Sequence, residues 1–240
     1  MSHAAKEIKR LMGKAIYQCN MIEDGDRILV AVSGGQDSIS LLWLLKERLS
    51  RIPITYDLTA VHVELGFRND TGKKMEHFFT ANGFNFCIIK GGFGPFAHSR
   101  ENRENPCFLC SRLRRKAIFE KAGELDCNKI AFGHHRDDSI ETFFLNLLFA
   151  GSMSTLNPCQ ELFDGTLTII RPLYLLNSST IKKYAEEMGF PTIECGCPTS
   201  PSSKRAQIRS LLSNLYQTNK KIKGNIASAL QSKELSSNWR

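Results

Sequence analysis

Six consecutive residues, Ser33 to Ser38, have the composition of a loop that binds an anion. They read Ser-Gly-Gly-Gln-Asp-Ser and directly follow the apolar run Arg27–Val32. This run predicts a buried strand, the paired glycines predict a tight turn, and the leucine-rich stretch that follows predicts a helix with Asp37 in its first turn. A helix N-terminus offers free backbone N–H groups and the positive end of the helix dipole. The sequence therefore predicts a phosphate site after the first strand.

This loop lacks the residues of two common phosphate-binding motifs. It contains neither Gly-x-x-x-x-Gly-Lys-Ser/Thr nor Gly-x-Gly-x-x-Gly. It resembles the PP-loop of the ATP pyrophosphatases, which release pyrophosphate from ATP and leave AMP on a substrate oxygen. The resemblance implies that Asp37 helps to hold Mg²⁺, and the alternative is an ordinary strand-to-helix turn with a Gly-Gly corner. The implied phosphate-binding residues are Ser33, Gly34, Gly35, Gln36 and Ser38.

A second polar run, Gly-His-His-Arg-Asp-Asp, begins at Gly133 and follows the predicted fourth strand. Its imidazoles and carboxylates could bind a metal, transfer protons or cap the next helix. The run resembles the second motif of the PP-loop proteins, Gly-His-x-x-Asp-Asp, which lies beside the adenylating centre. The resemblance implies that Asp137 and Asp138 act on the metal or the substrate, and that Gly133 and His134 contact the nucleotide. His62, near the end of the predicted second strand, is assigned to the same nucleotide site.

Four of the eight cysteines occur in two close pairs. Cys107 and Cys110 open a basic helix, and Cys195 and Cys197 lie in a later loop. We expect the helix dipole and neighbouring arginines to lower the thiol pKa values of the first pair, which favours metal binding or redox chemistry. A dithiol redox pair and two unrelated buried cysteines are the alternatives. The Cys-Gly-Cys spacing is tight for zinc, whereas three thiolates could hold an iron–sulfur cluster and leave one iron free.

The motifs occur in a particular order along the chain. The PP-loop is followed by Pro-Cys-Phe-Leu-Cys-Ser-Arg-Leu-Arg-Arg, by Gly-His-His-Arg-Asp-Asp, by Ile-Arg-Pro-Leu from Ile170 and by the late cysteine loop. In this order they resemble the tRNA 2-thiocytidine synthetase family (TtcA), up to about Leu212. The resemblance implies that ATP adenylates the C2 oxygen of cytidine 32 in the tRNA anticodon loop, and that sulfur delivered through a 4Fe-4S cluster then displaces AMP. The implied cluster ligands are Cys107, Cys110 and Cys197.

Three positions depart from the family pattern. Gln36 stands where the family often has lysine, which removes a positive charge near the triphosphate. The late loop is one residue shorter than Cys-x-x-Cys, so Cys195 is an alternative third ligand. Residues 63–68 are more like those of the tRNA-lysidine synthetases. The alternative functions are therefore a divergent PP-loop enzyme, of the lysidine-synthetase type or with another RNA or small-molecule substrate, and a non-catalytic RNA-binding module.

The sequence pattern of alternating strands and helices indicates which elements position these motifs. They predict an α/β fold with a parallel sheet of about five strands flanked by helices, like that of the adenine nucleotide alpha-hydrolases, and with ligands at the carboxyl ends of the strands. The predicted strands are 27–32, 56–64, 84–89, 129–132 and 167–170. The predicted helices are 6–18, one beginning at Asp37, 73–81, 112–125, 138–149, 179–188 and further basic helices, with a long loop over 90–105.

We expect three segments in the 240 residues. They are an N-terminal helical segment (1–24), a PP-loop ATP pyrophosphatase domain (25–176) and a C-terminal helical extension with the late cysteine loop (177–240). The N-terminal helix is amphipathic and could pack on its own sheet or against a second subunit, which would give a homodimer.

The formal net charge of +8 indicates a polyanionic partner, which the family resemblance identifies as tRNA. A solvated helix face is the simpler explanation of the same charges. The sequence shows no signal peptide and no apolar stretch of membrane-spanning length, so we expect a cytoplasmic protein. Its sulfur donor would be a cysteine desulfurase or sulfide. The predicted RNA-binding residues are Arg112, Arg114, Arg115, Lys204 and Arg205.

Overall fold

The chain folds around one six-stranded sheet in a computed structural model. The structure describes residues 2–68, 70–199 and 201–235, and it describes residues 231–235 by their backbone only. The strands are β1 (Asp26–Ala31), β2 (Tyr56–Glu64), β3 (Asn85–Lys90), β4 (Lys129–Phe132), β5 (Cys159–Leu162) and β6 (Leu167–Ile170). Their order in the sheet is β3-β2-β1-β4-β6-β5. Every neighbouring pair is parallel except β5 and β6. The predicted α/β fold class is confirmed.

Helices connect the parallel strands and cover both faces of the sheet. Because the Asn105 side chain caps the fifth helix, accepting hydrogen bonds from the N–H groups of Cys107 and Phe108, this helix begins at Pro106 rather than at Arg112. No helix in the described ranges is long and apolar enough to cross a membrane. The helices are α1 (His3–Gln18), α2 (Gln36–Leu49), α3 (Thr71–Ala81), α4 (Phe93–Ala97), α5 (Pro106–Glu124), α6 (Arg136–Ala150), α7 (Ser178–Glu187), α8 (Lys204–Thr218) and α9 (Ile222–Leu235).

Two features differ from the sequence prediction. The sheet has six strands rather than five, and the additional strand β5 runs antiparallel to β6 at the sheet edge. β5 reads Cys-Gln-Glu-Leu and has no buried residue, so it lacks the apolar pattern from which a strand is predicted. The segment 90–105, predicted to be a loop, contains the short helix α4.

Two apolar layers enclose the sheet. Ile28 and Val30 of β1 face the larger layer, formed with α1, α2, α3 and α7, whereas Leu29 faces the layer formed with Ile118 of α5. A third cluster joins α6 to α8 and α9. The apolar face of α1 is therefore buried within its own chain, and this face is not free for a second subunit. The three-segment division remains a prediction, and residues 236–240 of its last segment lie outside the described ranges.

Candidate active site

The PP-loop forms a sharp turn between β1 and α2 that its two serines stabilise. Ser38 Oγ donates to the Gly35 carbonyl (2.9 Å), accepts from the Ser33 N–H (3.1 Å) and lies 3.2 Å from Ser33 Oγ. Gly34 has a φ of +93°, which residues with a side chain rarely adopt. Gly35 is the N-cap of α2, so the free N–H groups and the positive dipole end of this helix lie at the end of β1. The predicted strand, glycine turn and helix start are all present.

Gly133, at the end of β4, allows a close approach between the two nucleotide motifs. A β-carbon at this position would lie 3.0 Å from both the Cα and the N of Ser38, and 3.1 Å from the carbonyl carbon of Asp37. The end of β4 therefore packs directly against the backbone of the first turn of α2. Whatever contact Gly133 makes with a nucleotide, its lack of a side chain keeps the second motif beside the PP-loop.

A buried imidazole, His135, joins the carboxylates of the two motifs. Its Nε2 lies 3.8 Å from Asp37 Oδ2, and its Nδ1 lies 3.5 Å from Asp138 Oδ2. His135 is the N-cap of α6 in a capping box, in which its own N–H donates to the Asp138 carboxylate. Burial raises the pKa of Asp37, His135 opposes this shift, and the neighbouring carboxylates add to it. Asp37 and Asp138 thus belong to one cluster around His135, and Asp137 Oδ2 also lies 3.8 Å from His135 Nδ1.

Asp137 has a different environment. One carboxylate oxygen accepts from the Ser178 N–H at the start of α7 (2.9 Å), and the other pairs with Lys223 of α9 (2.5 Å). Burial favours a higher pKa for Asp137, but the hydrogen bonds from Lys223 and Ser178 outweigh it and lower the pKa. The carboxylate that the sequence assigned to the metal or substrate is therefore engaged in holding two helices.

His62 offers an unpartnered nitrogen to the site. It is buried, and its Nδ1–H donates to the Val32 carbonyl (2.8 Å), which leaves Nε2 as an acceptor without a partner among the described residues. Burial lowers the pKa of His62, so the ring is neutral. Since buried polar atoms normally have a partner, this nitrogen fits an N–H donor of a ligand, such as the amino group of adenine.

The half-buried His134 and the buried Arg171 form a second pair just after the ends of β4 and β6. Arg171 Nε donates to His134 Nδ1 (3.3 Å), and Arg171 also donates to the Asn157 carbonyl. Burial lowers the pKa of His134 to about 4 and that of Arg171 to about 10. His134 is therefore neutral near pH 7 and carries its proton on Nε2, whereas Arg171 keeps its positive charge.

Two of the predicted cluster ligands meet at a threonine hydroxyl. Thr199 Oγ1 lies 3.6 Å from Cys107 Sγ and 3.4 Å from Cys197 Sγ, and a third contact joins it to His98 Nε2 (3.0 Å). Cys195 has no hydrogen bond to this hydroxyl, although Cys195, and not Cys197, lines the cavity that Cys107 also borders. This arrangement favours Cys197 over Cys195 as the third ligand.

The thiol of Cys110 lies one helical turn from Cys107. The other three paired cysteines all act electrostatically on it, so the four thiols form one neighbourhood. Burial raises the pKa of Cys110, and Arg114 only partly opposes this. The expectation of a lowered thiol pKa is therefore wrong for Cys110, because removal from water outweighs the nearby positive charge.

The donor set fits an iron–sulfur cluster in its chemistry. Within the described ranges, no group of three or more His, Cys, Asp or Glu side chains is spaced to hold a metal ion. Besides His98, the side chains that contact the Thr199 hydroxyl are nevertheless thiols, the ligands that iron–sulfur clusters require, and they come from the first turn of α5 and from the late cysteine loop. The residues that would hold the cluster are Cys107, Cys110 and Cys197.

The late cysteine loop is attached directly to the PP-loop. The Ile193 N–H donates to the Gly34 carbonyl (2.9 Å), and a β-carbon on Gly34 would lie only 2.8 Å from the Ile193 carbonyl oxygen. Gly34 is therefore required both for the turn and for this close contact. The link fixes the start of the loop that carries Cys195 and Cys197 relative to the anion site.

One cavity of about 1410 Å³ connects the PP-loop with the thiols of Cys107 and Cys195. It opens at the carboxyl ends of the parallel strands, as expected for this fold class. The residues around it include Ser33, Asp37, His62, Cys107, Arg114, His134, Arg171 and Thr199. The predicted nucleotide site thus borders the same space as Cys107, Cys195 and Thr199, whereas Cys110 and Cys197 are not among the lining residues.

Two arginines of α5, Arg114 and Arg115, supply free positive charge to this cavity. Both line it, and neither forms an ion pair with a described residue. Arg112 pairs with Glu104 (3.0 Å) and lies over the ring of Phe108. All three remain accessible to a polyanion on one helix.

The two predicted RNA-binding residues of α8 differ from each other. Lys204 lies over the exposed ring of Phe149. Arg205 pairs with Asp138 and Glu141 (3.5 Å each) and donates to Thr142. Arg205 therefore positions the acidic cluster of α6, and its charge is largely compensated there.

The sequence did not identify three residues of the site. His135 could have been recognised as the N-cap of a helix that follows a strand end, and Arg171 as the first residue after β6. For Thr199 the sequence carries no signal, because its contacts arise only when the late loop meets α5.

Comparisons with known proteins agree with this geometry. The family model of the PP-loop domain matches residues 1–215. The tRNA-cytidine(32) 2-sulfurtransferase of Syntrophotalea carbinolica is 38% identical over 94% of this chain and 88% of its own length. The protein of the same name from Citrifermentans bemidjiense is 34% identical over 95% of this chain and 90% of its own length.

Among solved structures, this chain is similar to the U34-tRNA thiolase NcsA from Methanococcus maripaludis with its [4Fe-4S] cluster. The TM-score is 0.81 and the sequence identity is 22%, and the match covers 99% of this chain and 81% of that chain. This likeness concerns the fold. The matches to the two sulfurtransferases cover nearly the full length of those proteins, at more than 30% identity. The chain therefore belongs to the PP-loop domain family and, within it, to the tRNA-cytidine(32) 2-sulfurtransferase family.

Proposed function

We propose that this protein uses ATP to replace the C2 oxygen of cytidine 32 in tRNA with sulfur, giving 2-thiocytidine. The observation that carries the proposal is the cavity bordered by the PP-loop and by Cys107, Cys195 and Thr199, whose hydroxyl also contacts Cys197. An activating site and a sulfur-delivering site must both reach one base carbonyl, and this cavity provides the shared space.

The PP-loop half would activate the base. The C2 oxygen attacks the α-phosphorus of ATP, the bond to the β-phosphate oxygen breaks, and pyrophosphate leaves while AMP stays on the base. Ser33, Ser38 and the N–H groups at the start of α2 would bind the leaving pyrophosphate. We assign Asp37 and Asp138 to Mg²⁺, whose preferred ligands are carboxylate oxygens. We assign the unpartnered His62 Nε2 to the adenine amino group.

The thiol half would deliver the sulfur. A sulfur nucleophile attacks C2, the C2–O bond breaks, and AMP leaves with the original oxygen. We assign Cys107, Cys110 and Cys197 as ligands of a 4Fe-4S cluster, which when bound would supply an iron that three cysteines leave open to sulfur. His134 Nε2–H and the charge of Arg171, both at the cavity, would stabilise the negative charge that develops on the leaving AMP.

The partners of this reaction are tRNA and a sulfur donor. Arg114 and Arg115 are free to contact phosphates beside the cavity. We assign sulfur supply to a cysteine desulfurase or to free sulfide, and the site of action to the cytoplasm. A homodimer, if formed, would cover the apolar side chains exposed at the end of α6 and just beyond it: Leu147, Leu148, Phe149 and Met153.

The experiment that tests the proposal is mass spectrometry of tRNA nucleosides from cells with and without this gene. We expect 2-thiocytidine to disappear in the deletion strain and to return with the wild-type gene. A Cys107→Ala/Cys110→Ala double variant should not restore it. If 2-thiocytidine persists in the deletion strain, the substrate assignment is wrong; if the double variant restores it, Cys107 and Cys110 are not required and their assignment as cluster ligands is wrong.

A further inference from the structure

A second cavity lies on the other side of α5 from the thiols. It has a volume of about 550 Å³ and is formed between α5 and the tip of the β5–β6 hairpin. Its walls carry three aromatic rings: Phe108 and Phe119 from the helix, and Phe163 from the hairpin. Phe119 and Phe163 meet edge to face with their centroids 6.3 Å apart. Phe108 and Phe163 are 60% and 65% exposed, so the described residues leave much of this aromatic surface uncovered.

Phe163 occupies a backbone conformation that disfavours its own side chain. Its φ is +53° and that of the following Asp164 is +54°, in the turn that closes the hairpin. Glycine and asparagine adopt this left-handed region readily, whereas a bulky residue there is uncommon. An exposed phenylalanine thus stands where a turn residue would be more stable. Such an outlier points to a function for the ring.

Positive charge surrounds the rings. The guanidinium of Arg112 lies 5.4 Å from the centre of the Phe108 ring, and Arg115 lines the cavity without an ion pair to a described residue. Lys116 and Glu120 also border it and pair with each other (3.6 Å). Aromatic faces combined with cations match a nucleobase attached to a phosphate, because the base stacks and the phosphate is neutralised.

The second cavity is continuous with the main one. Phe108, Arg115 and Phe119 line both spaces, so α5 forms a ridge with one cavity on either side. A strand of RNA crossing this ridge could place one nucleotide in the main cavity and a neighbouring base against the rings. Sequence-specific recognition of RNA commonly uses such splayed, unpaired bases stacked on aromatic side chains.

We propose that this aromatic pocket, formed by Phe108, Phe119 and Phe163, binds an unpaired base of the tRNA substrate adjacent to the base that is modified. The proposal rests on the proposed function for its RNA substrate and adds a site that holds the loop open. The pocket would recognise single-stranded loop RNA, not a duplex, because bases within a duplex are already stacked on each other.

The test uses Phe163→Asn, because asparagine tolerates the left-handed turn and removes only the ring. The probes are a synthetic anticodon stem-loop RNA with cytidine at the target position, and a fully paired RNA hairpin of the same length. We expect Phe163→Asn to weaken stem-loop binding by about 5- to 100-fold, with little effect on the paired hairpin. Phe163→Tyr, which keeps a ring, should bind like the wild type.

Two controls separate stacking from charge and from general loss of an aromatic side chain. Phe163→Asn should leave the salt dependence of binding unchanged, whereas Arg115→Gln should reduce its slope by about one. Tyr17→Ala removes a ring that is 83% exposed on α1, on the opposite face of the sheet, and should leave binding unchanged.

The outcomes distinguish this proposal from the proposed function. Wild-type affinity of Phe163→Asn for the stem-loop, or an equal loss on stem-loop and paired hairpin, overturns the pocket while tRNA thiolation stands. If the wild-type protein binds and thiolates no stem-loop RNA, the proposed function fails and the pocket with it. A selective loss of stem-loop binding in Phe163→Asn, with wild-type binding in Phe163→Tyr, supports the pocket, whereas support for the proposed function comes from thiolation of the stem-loop by the wild-type protein.

Discussion

Asp37 and Asp137 carry the same side chain in neighbouring motifs, yet their surroundings assign them different roles. Asp37 lines the cavity, and its Oδ2 lies 3.8 Å from Nε2 of the His135 imidazole. Asp137 is held by the Ser178 N–H and by Lys223. The first carboxylate can therefore exchange partners with an incoming Mg²⁺, whereas the second already has the partners that a buried carboxylate needs.

This difference predicts opposite outcomes for the two asparagine variants. Asp37→Asn should reduce ATP-dependent pyrophosphate release by at least about 100-fold and leave thermal stability nearly unchanged. Asp137→Asn should lower the free energy of unfolding by about 1–3 kcal/mol, because the Lys223 pair is lost. Its pyrophosphate release per folded molecule should stay close to wild type. Urea denaturation and a pyrophosphate assay on both variants would test this, and a well-folded but inactive Asp137→Asn would contradict the assignment.

The neutral state of His134 predicts a stability that depends on pH. Burial lowers its folded pKa from 6.5 to about 4, so between these values the unfolded chain binds a proton that the folded chain does not. Stability is therefore full above about pH 6.5 and falls as the pH drops towards 4, by on the order of 3 kcal/mol. His134→Asn should flatten this part of the stability curve. Denaturation between pH 4 and 8 measures it, with the same change at the exposed His77 as a control.

At the scale of elements, apolar periodicity and glycine turns made most of the fold predictable. β2, β4 and β6 have the bounds that the sequence indicated, because each is a short stretch in which apolar residues predominate. β5 was missed because it is short and has no buried residue. The contact between the late cysteine loop and the PP-loop could not be predicted either, since it depends on a backbone hydrogen bond between Ile193 and Gly34. Backbone contacts between distant segments leave almost no pattern in side-chain types.

That contact predicts a specific effect of Gly34→Ala. The added methyl group would strain the turn at φ +93° and push against the Ile193 carbonyl, and it would move the cysteine loop away from the PP-loop. We expect a loss of both pyrophosphate release and thiolation. Gly25→Ala is the matched control, because Gly25 has a φ of +81° with open space around it. It should cost about 1–2 kcal/mol of stability with activity retained, and equal activities of the two variants would count against the contact.

On the scale of the whole molecule, the site is divided between parts of the chain that are far apart in sequence. The sequence identified the motifs at each end of the cavity, since each has a local signature. It did not show that Thr199 would join Cys107 to Cys197, or that His135 would join Asp37 to Asp138. These links arise only when the strands bring their carboxyl ends to one edge of the sheet.

The division predicts that the two half-reactions can be separated. The PP-loop is stabilised by its own serines and by the Ile193 backbone, and the hydrogen bonds that hold it in the described residues involve no thiol. Alanine at Cys107, Cys110 or Cys197 should therefore preserve RNA-dependent pyrophosphate release while abolishing 2-thiocytidine formation and iron binding. Cys195→Ala should retain all three activities, because Cys195 does not contact Thr199.

The measurements are iron content after anaerobic purification, pyrophosphate release, and nucleoside mass spectrometry on the same four preparations. Cys87→Ala, in β3 and outside the thiol neighbourhood, controls for general effects of removing a cysteine. If Cys195→Ala loses iron and Cys197→Ala keeps it, the ligand assignment must be exchanged between them. If all the thiol variants also lose pyrophosphate release, the two halves act as one unit, and the cavity couples sulfur binding to activation of the base.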